Sequence, residues 1–200
     1  MSNKEHWEKI YTTKTPQEVS WTQEIPETSL NLIAKFRPSL FAKIIDIGGG
    51  DSLLVDHLLA LGYTDITVLD ISEAAILRAK NRLKEKAAQV KWIVEDITHF
   101  SPTETYDIWH DRAVFHFLTE KKDIETYIKL VNNWSKNIVI GTFSTEGPLK
   151  CSGLEITQYN EQKISKTFCP IFALLECFTV DHTTPFDTVQ NFIFARLSKQ

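Results

Sequence analysis

The sequence is poor in the residues that staple a chain, coordinate a metal or anchor to a membrane. It has three cysteines, Cys151, Cys169 and Cys177, an odd number with no C-x-x-C spacing. That pattern excludes a disulfide framework, and free thiols in a reducing cytosol are the expectation. Neither H-E-x-x-H nor paired Cys/His spacing occurs, so no metal is expected. No apolar run is long enough to span a bilayer. The first residues, MSNKEHWEKIYTTK, are polar and lack the apolar segment of a signal peptide. A cytoplasmic protein without membrane attachment is therefore expected. Basic runs are missing too. A formal net charge of −4 and a pI of about 5.9 argue against a phosphate-tracking surface, so no nucleic acid is expected as a partner. The densest basic stretch, RAKNRLKEK (78–86), falls on a predicted helix and reads as a solvated face. There is no repeat and no low-complexity tract. What remains is 200 residues, 42% hydrophobic and 24% charged, which fit one globular domain with one core.

From residue 43 the pattern alternates short β-branched runs with helical spacing. KIIDI (43–47), DITVLDI (65–71), VKWIVEDI (90–97), YDIWHD (106–111) and NIVIGTFS (137–144) read as strands. SLLVDHLLALG (52–62), SEAAILRAKNRLKEKAA (72–88) and KDIETYIKLVNNW (122–134) read as helices, the second with Ser72 as its N-cap. Such alternation implies a parallel sheet covered by helices on both faces. The tail differs: LLECFTVDH (174–182) and QNFIFARLS (190–198) predict an antiparallel hairpin. The first forty residues have room for two short helices, near 4–11 and 29–36.

IIDIGGGDSLL (44–54) puts three glycines directly after the first strand. In an open α/β sheet, ligands bind beyond the carboxyl ends of the strands, and glycine lets the backbone approach them closely. A dinucleotide fingerprint needs G-x-G-x-x-G, but Leu53 stands at the third glycine. A P-loop needs a lysine after the glycines, and none follows. The next acid is more informative. Asp70 ends the second strand, 22 positions after Gly48 (70 − 48), where a carboxylate can take two ribose hydroxyls. Asp96 closes the third strand run beside the expected adenine position.

With glycine turn, ribose acid and adenine-edge acid in order, the chain resembles the class I S-adenosylmethionine-dependent methyltransferases over roughly residues 40–200. IDIGGGDS is similar to that family's first motif, D-x-G-x-G-x-G, with Ser52 at the last glycine. The resemblance implies a doubly wound, mostly parallel seven-stranded sheet ending in an antiparallel hairpin. It implies S-adenosylmethionine as cofactor. Asp46, Gly48 and Gly50 would shape the methionine end, Asp70 would bind the ribose, and Asp96 with Ile97 would meet the adenine. Trp21, Gly49, Asp51, Ile71 and His110 complete the implied cofactor-binding set. HWEKIYTTKTPQEVSW (6–21) is similar to the W-x-x-x-Y…W lead-in of small methyltransferases, some of them protein-lysine methyltransferases. That likeness suggests that Trp7, Tyr11, Ser20 and Trp21 fold over the cofactor as part of an N-terminal helical lid (1–40) on a Rossmann-like core (41–200). The other reading makes these aromatics anchors packed on the sheet.

Methyl transfer asks the protein to position an acceptor and exclude water, with a base only if the nucleophile arrives protonated. WHDRAVFHF (109–117) crowds ionisable groups at the end of the fourth strand. There His110 or His116 is the candidate base or orienting group, and Arg112 the candidate clamp for a carboxylate or phosphate. A helical turn would place Arg112 and His116 on one face. The alternative is a structural Asp111–Arg112 ion pair with His116 packed in the core. HDRA stands where enzymes acting on planar amide or exocyclic amino nitrogens carry N/D-P-P-Y/F, which disfavours DNA adenine and glutamine as substrates. STEGPLKCSG (144–153) and DHTTPF (181–186) are expected to wall the acceptor pocket, and Cys169 and Cys177 to sit on buried elements. The expected protein is thus a methyltransferase for a small molecule or protein side chain, a monomer or weak homodimer. An NAD-dependent oxidoreductase and a cofactor-binding domain without catalysis are the alternatives.

Overall fold

A computed structural model describes residues 2–169 and 171–200. Five parallel strands come first: β1 (Lys43–Ile47), β2 (Asp65–Asp70), β3 (Val90–Val94), β4 (Tyr106–Arg112) and β5 (Ser135–Phe143). A two-residue ribbon, β6 (Lys150–Cys151) and β7 (Leu154–Glu155), follows. The long antiparallel pair β8 (Phe172–Thr183) and β9 (Val189–Lys199) closes the chain. The main sheet runs β3-β2-β1-β4-β5-β9-β8, the doubly wound order with a terminal hairpin that the resemblance implies. The α-helices among the described residues are α1 (Asn3–Thr13), α2 (Glu27–Ala34), α3 (Leu54–Ala60), α4 (Glu73–Leu83), α5 (Lys121–Trp134) and α6 (Glu161–Phe168).

Strand alternation sorts the core into two layers. Ile45, Ile47, Trp109, Ile138, Ile140 and Leu197 point to the face covered by Tyr127 and Val131 of α5 and Ile164 and Phe168 of α6. Ile44, Val68, Ile108, Val139, Phe192 and Phe194 point to the other face, against α2, α3 and α4. Sequence order reverses between β1 and β4, which lie side by side in register, Asp46 opposite His110. Such a switch point opens a crevice at the strands' carboxyl ends.

Several details depart from the sequence expectation. The predicted helix 72–88 ends at Leu83 because Lys84 takes a left-handed backbone with φ of +52°. A 3-10 turn, Lys84–Gln89, replaces its last part. The third strand stops at Val94, so Asp96 lies two residues beyond it. Helix α6 was not foreseen: its buried face consists of Ile164 and Phe168 alone. Cys169 and Cys177 are only half-buried. No helix among the described residues is long and apolar enough to cross a membrane.

Candidate active site

A cavity of about 610 Å³ opens at the switch point. Its floor is the β1–α3 turn. Gly48 and Gly50 hold φ of +63° and +44°, a region that favours glycine. The turn is also crowded. A Cβ on Gly49 would lie 2.6 Å from Asp46 Oδ2, and one on Gly50 2.9 Å from Asp70 Oδ2 and 3.1 Å from the Tyr11 hydroxyl. Gly48, Gly49, Asp51 and Ser52 line the cavity.

Asp70, Ile71, Asp96 and Ile97 line the same space, from the ends of β2 and β3. Asp70 is buried, and its Oδ1 accepts from the Ser72 N–H at 2.8 Å. Its Oδ2 has no donor among the described residues. Burial, with Asp51, Asp46 and Glu8 nearby, pushes its pKa up to about 7, although the Ser72 hydrogen bond opposes the shift. A buried carboxylate with one oxygen unclaimed matches a ligand that offers hydroxyl donors. Asp96 Oδ1 accepts from the Thr98 N–H and hydroxyl at 2.8 and 2.7 Å.

The first residues form a roof. Trp7 meets Trp21 and Phe117 edge to face at 5.7 and 5.1 Å between ring centres, and Tyr11 meets Trp21 at 6.2 Å. All four rings line the cavity. One anchor of this roof is Glu8, which sequence reasoning missed. Its carboxylate accepts from the Ser72 hydroxyl at 2.7 Å and the Ala74 N–H at 3.1 Å. Ser72 also caps α4, accepting from the Ala75 N–H. Glu8 thus sits at a helix N-terminus, where the orphan amides and the dipole favour an anion. Arg78 adds a bond to the Lys14 carbonyl. From the far side, His182 Nε2 donates to the Ser20 carbonyl at 2.6 Å.

Strand alternation separates the residues of WHDRAVFHF. Asp111 points to the α5 face, where Oδ1 accepts from the Val114 and Phe115 amides and Oδ2 from the Tyr127 hydroxyl at 2.7 Å. Burial pushes its pKa up to about 6, against the pull of those donors. The Asp111–Arg112 ion pair therefore does not form. His110 and Arg112 point to the opposite face and line the cavity. His110 Nδ1–H donates to Asp46 Oδ1 at 2.6 Å, and its Nε2 lies 2.8 Å from the Ser29 hydroxyl. Both ring nitrogens are engaged within the fold. The helical turn proposed for residues 112–116 is absent: Arg112 ends β4, and Ala113 turns the chain with φ of +72°. His116 is fully buried and does not line the cavity. Its Nδ1 accepts from the Phe143 N–H at 3.3 Å, and the ring stacks on Phe143. Burial, with the Arg112 charge adding to it, pushes its pKa down to about 3, so the ring is neutral at ordinary pH.

The far end of the cavity is made by Arg112, Phe143, Cys151, Gln190 and Phe192. Cys151 comes from the loop after β5, as expected. None of residues 181–186 lines the cavity; β9 supplies Gln190 and Phe192 instead. The hairpin runs past the sheet edge, so its second strand, not its connection, faces the site. Burial pushes the Cys151 thiol up to about 12, with Arg112 opposing, so it stays protonated and does not act as a thiolate.

Comparison with known proteins accords with this geometry. Residues 44–137 match the profile of a family described as a methyltransferase domain. EEF1A lysine methyltransferase 2 of Homo sapiens is 27% identical over 173 residues, covering 72% of this chain and 73% of that protein. The eEF1A lysine and N-terminal methyltransferase of Mus musculus is 26% identical over 122 residues, 60% of this chain. Malonyl-[acyl-carrier protein] O-methyltransferase 1 of Ilyobacter polytropus is 23% identical over 134 residues, 66% of this chain. The match spans only 17% of the mouse protein and 50% of the Ilyobacter one. Among solved structures, the N-methyltransferase NodS of Bradyrhizobium japonicum with S-adenosyl-L-homocysteine superposes with a TM-score of 0.74. It covers 99% of both chains at 16% identity. Residues 44–137 thus carry a methyltransferase domain, and the fold is that of the class I S-adenosylmethionine-dependent methyltransferases. These likenesses point to S-adenosylmethionine as the cofactor and favour neither the oxidoreductase nor the non-catalytic alternative.

Proposed function

We propose that the protein methylates an acceptor seated at the Arg112 end of the cavity while the cofactor occupies the glycine-turn end. The single observation behind this reading is that one continuous cavity joins Asp70 and Asp96 to Arg112 and Phe192. The donor groups fit the cofactor: a glycine turn that a Cβ would crowd, and a buried carboxylate with a free oxygen for ribose hydroxyls. In this reading Asp46, Gly48, Gly49, Gly50 and Asp51 shape the methionine end, Asp70 and Ile71 hold the ribose, and Asp96 and Ile97 meet the adenine. Trp21 and its aromatic neighbours close over it, so residues 1–40 act as a helical lid on the single domain formed with 41–200.

S-adenosylmethionine, when bound, supplies a methyl group on a sulfonium. The chain's own part is to orient and desolvate. His110 fixes the Asp46 carboxylate at the cofactor end. His116, neutral and outside the cavity, supports Phe143 and its strand. In this reading both histidines act as positioning residues: His116 lies outside the cavity, and both His110 nitrogens are held by Asp46 and Ser29. Arg112 draws an anionic acceptor. A permanent cation here opposes a protonated lysine, although two relatives are named for lysine methylation. A small molecule in the cytoplasm, taken up by a monomer or weak homodimer, fits better; the net charge of −4 supports neither nucleic acid nor an anionic membrane as partner. The test is calorimetric titration with S-adenosylmethionine and S-adenosylhomocysteine, set against NAD. Binding of NAD instead of the adenosyl ligands would sink this reading.

A further inference from the structure

The acceptor end holds two buried hydrogen-bonding groups that the fold leaves without partners. Arg112 Nε and Nη2 are buried and make no hydrogen bond among the described residues, and neither does Gln190 Oε1. A fold rarely leaves such groups unpaired, because each then costs its full desolvation. The Arg112 side chain is held in place. Its Nη1 donates to the Trp21 carbonyl at 2.8 Å, and its Cζ stands 5.0 Å from the centre of the Phe192 ring. Asp46 is already taken by His110, and Asp111 lies on the other side of the sheet. The unpartnered edge of the guanidinium is the Nε–Nη2 edge, whose two parallel N–H bonds fit two coplanar oxygens. Gln190 and Phe192, two apart on β9, share a face, and both line the cavity with Arg112. It can only accept, so it calls for an N–H or O–H. Phe143, Phe192 and Trp21 line the same cavity.

We propose that the acceptor is a small carboxylic acid with a flat apolar body that also carries an amine, amide or hydroxyl donor: its carboxylate takes the Nε–Nη2 edge of Arg112, and its donor faces Gln190 Oε1. The proposal rests on the methyl-transfer reading and narrows its substrate. The flat edge selects a carboxylate over a phosphate, whose oxygens are tetrahedral. The Gln190 acceptor selects against a plain fatty or benzoic acid. A carboxylate could also come from the methionine end of the cofactor, and the experiment separates that source.

Calorimetric titration on the S-adenosylhomocysteine-loaded protein tests this, with the three aminobenzoate isomers against benzoate, aniline and aminobenzamide. At least one aminobenzoate should bind about tenfold more tightly than benzoate, aniline and its own amide. Arg112→Lys should weaken that aminobenzoate about tenfold and leave S-adenosylhomocysteine affinity within about twofold. Gln190→Leu should erase the preference over benzoate while benzoate itself still binds. The proposal is overturned if no aminobenzoate is preferred in the loaded wild type, or if Arg112→Lys leaves aminobenzoate binding intact. It is also overturned if Arg112→Lys weakens S-adenosylhomocysteine as strongly, since the edge would then serve the cofactor. Failure of the wild type to bind S-adenosylhomocysteine at all is the separate failure of the methyl-transfer reading.

Discussion

The two ends of the cavity are built by opposite means. At the glycine-turn end the acids Asp46, Asp70 and Asp96 come from the consecutive strands β1, β2 and β3 or just past their ends, and most of their oxygens are already engaged: Asp46 by His110, Asp96 by Thr98, one Asp70 oxygen by Ser72. At the far end the groups come from β4, the loop after β5 and β9, and Arg112 and Gln190 keep unpaired buried atoms. One end is local in sequence and largely satisfied; the other is assembled across the sheet and left wanting. The lesson is one of division of labour. A ligand shared by a whole class of enzymes is met by short-range chain geometry. The ligand that distinguishes one member is met by whatever the later strands bring alongside.

The sharpest way to break this comparison is at Asp70. Replacing Asp70 by Ala removes the proposed acceptor of two ribose hydroxyls. Charged hydrogen bonds are worth about 1.5–3 kcal/mol each, so cofactor affinity should fall at least about tenfold. Calorimetry on a folded variant that still binds like the wild type would detach Asp70 from the cofactor end.

The same residue sets a pH dependence. Its folded pKa of about 7 lies above the ordinary carboxylate value of about 3.9. The folded protein therefore holds a proton that the unfolded chain has released, and stability falls as pH rises from about 4 to about 7. Asp70→Asn should remove that loss and raise the ligand-free melting midpoint at pH 8 by at least about 3 °C, while weakening the cofactor. A melting series in which the variant gains nothing over wild type at pH 8 would show that burial does not strain this carboxylate.

A smaller effect is expected at Asp96. It should accept from the adenine amino group, which an inosyl analogue lacks. The analogue should bind about three- to tenfold more weakly; equal affinities would leave the adenine edge unread. The smallest effect concerns His116. His116→Asn keeps an acceptor for the Phe143 N–H, and turnover should stay within about twofold of wild type. A turnover loss of a hundredfold, with a titrating limb near neutrality erased, would restore His116 as a base.

Much of the fold was legible because burial on both faces leaves uninterrupted β-branched runs, as in KIIDI and DITVLD, and glycine or an N-cap serine punctuates them. Helix α6 escaped because two buried side chains in eight residues make too little of a stripe. The glycine turn and the acids after β2 and β3 were legible because each is tied to a strand end. The far end was only half legible. Arg112 stood out as a charge in an apolar stretch, but its separation from Asp111 follows from strand alternation continuing one residue past the expected end. Gln190 carries no sequence signal, since only the pairing of β9 with β5 brings it to the site. Glu8 looked like any exposed helix acid until α1 docked on α4.

The roof has an optical consequence. Two of the five tryptophans, Trp7 and Trp21, lie over the cavity, within edge-to-face reach of each other and of Phe117 or Tyr11. Trp109 is buried in the opposite layer with its indole N–H on Tyr127, removed from any ligand. The protein thus carries a reporter over its site and an internal standard behind it. Filling or emptying the space beneath Trp7 and Trp21 changes the polarity against their indole rings, so each catalytic cycle is written in the emission colour of the chain itself, with no label attached.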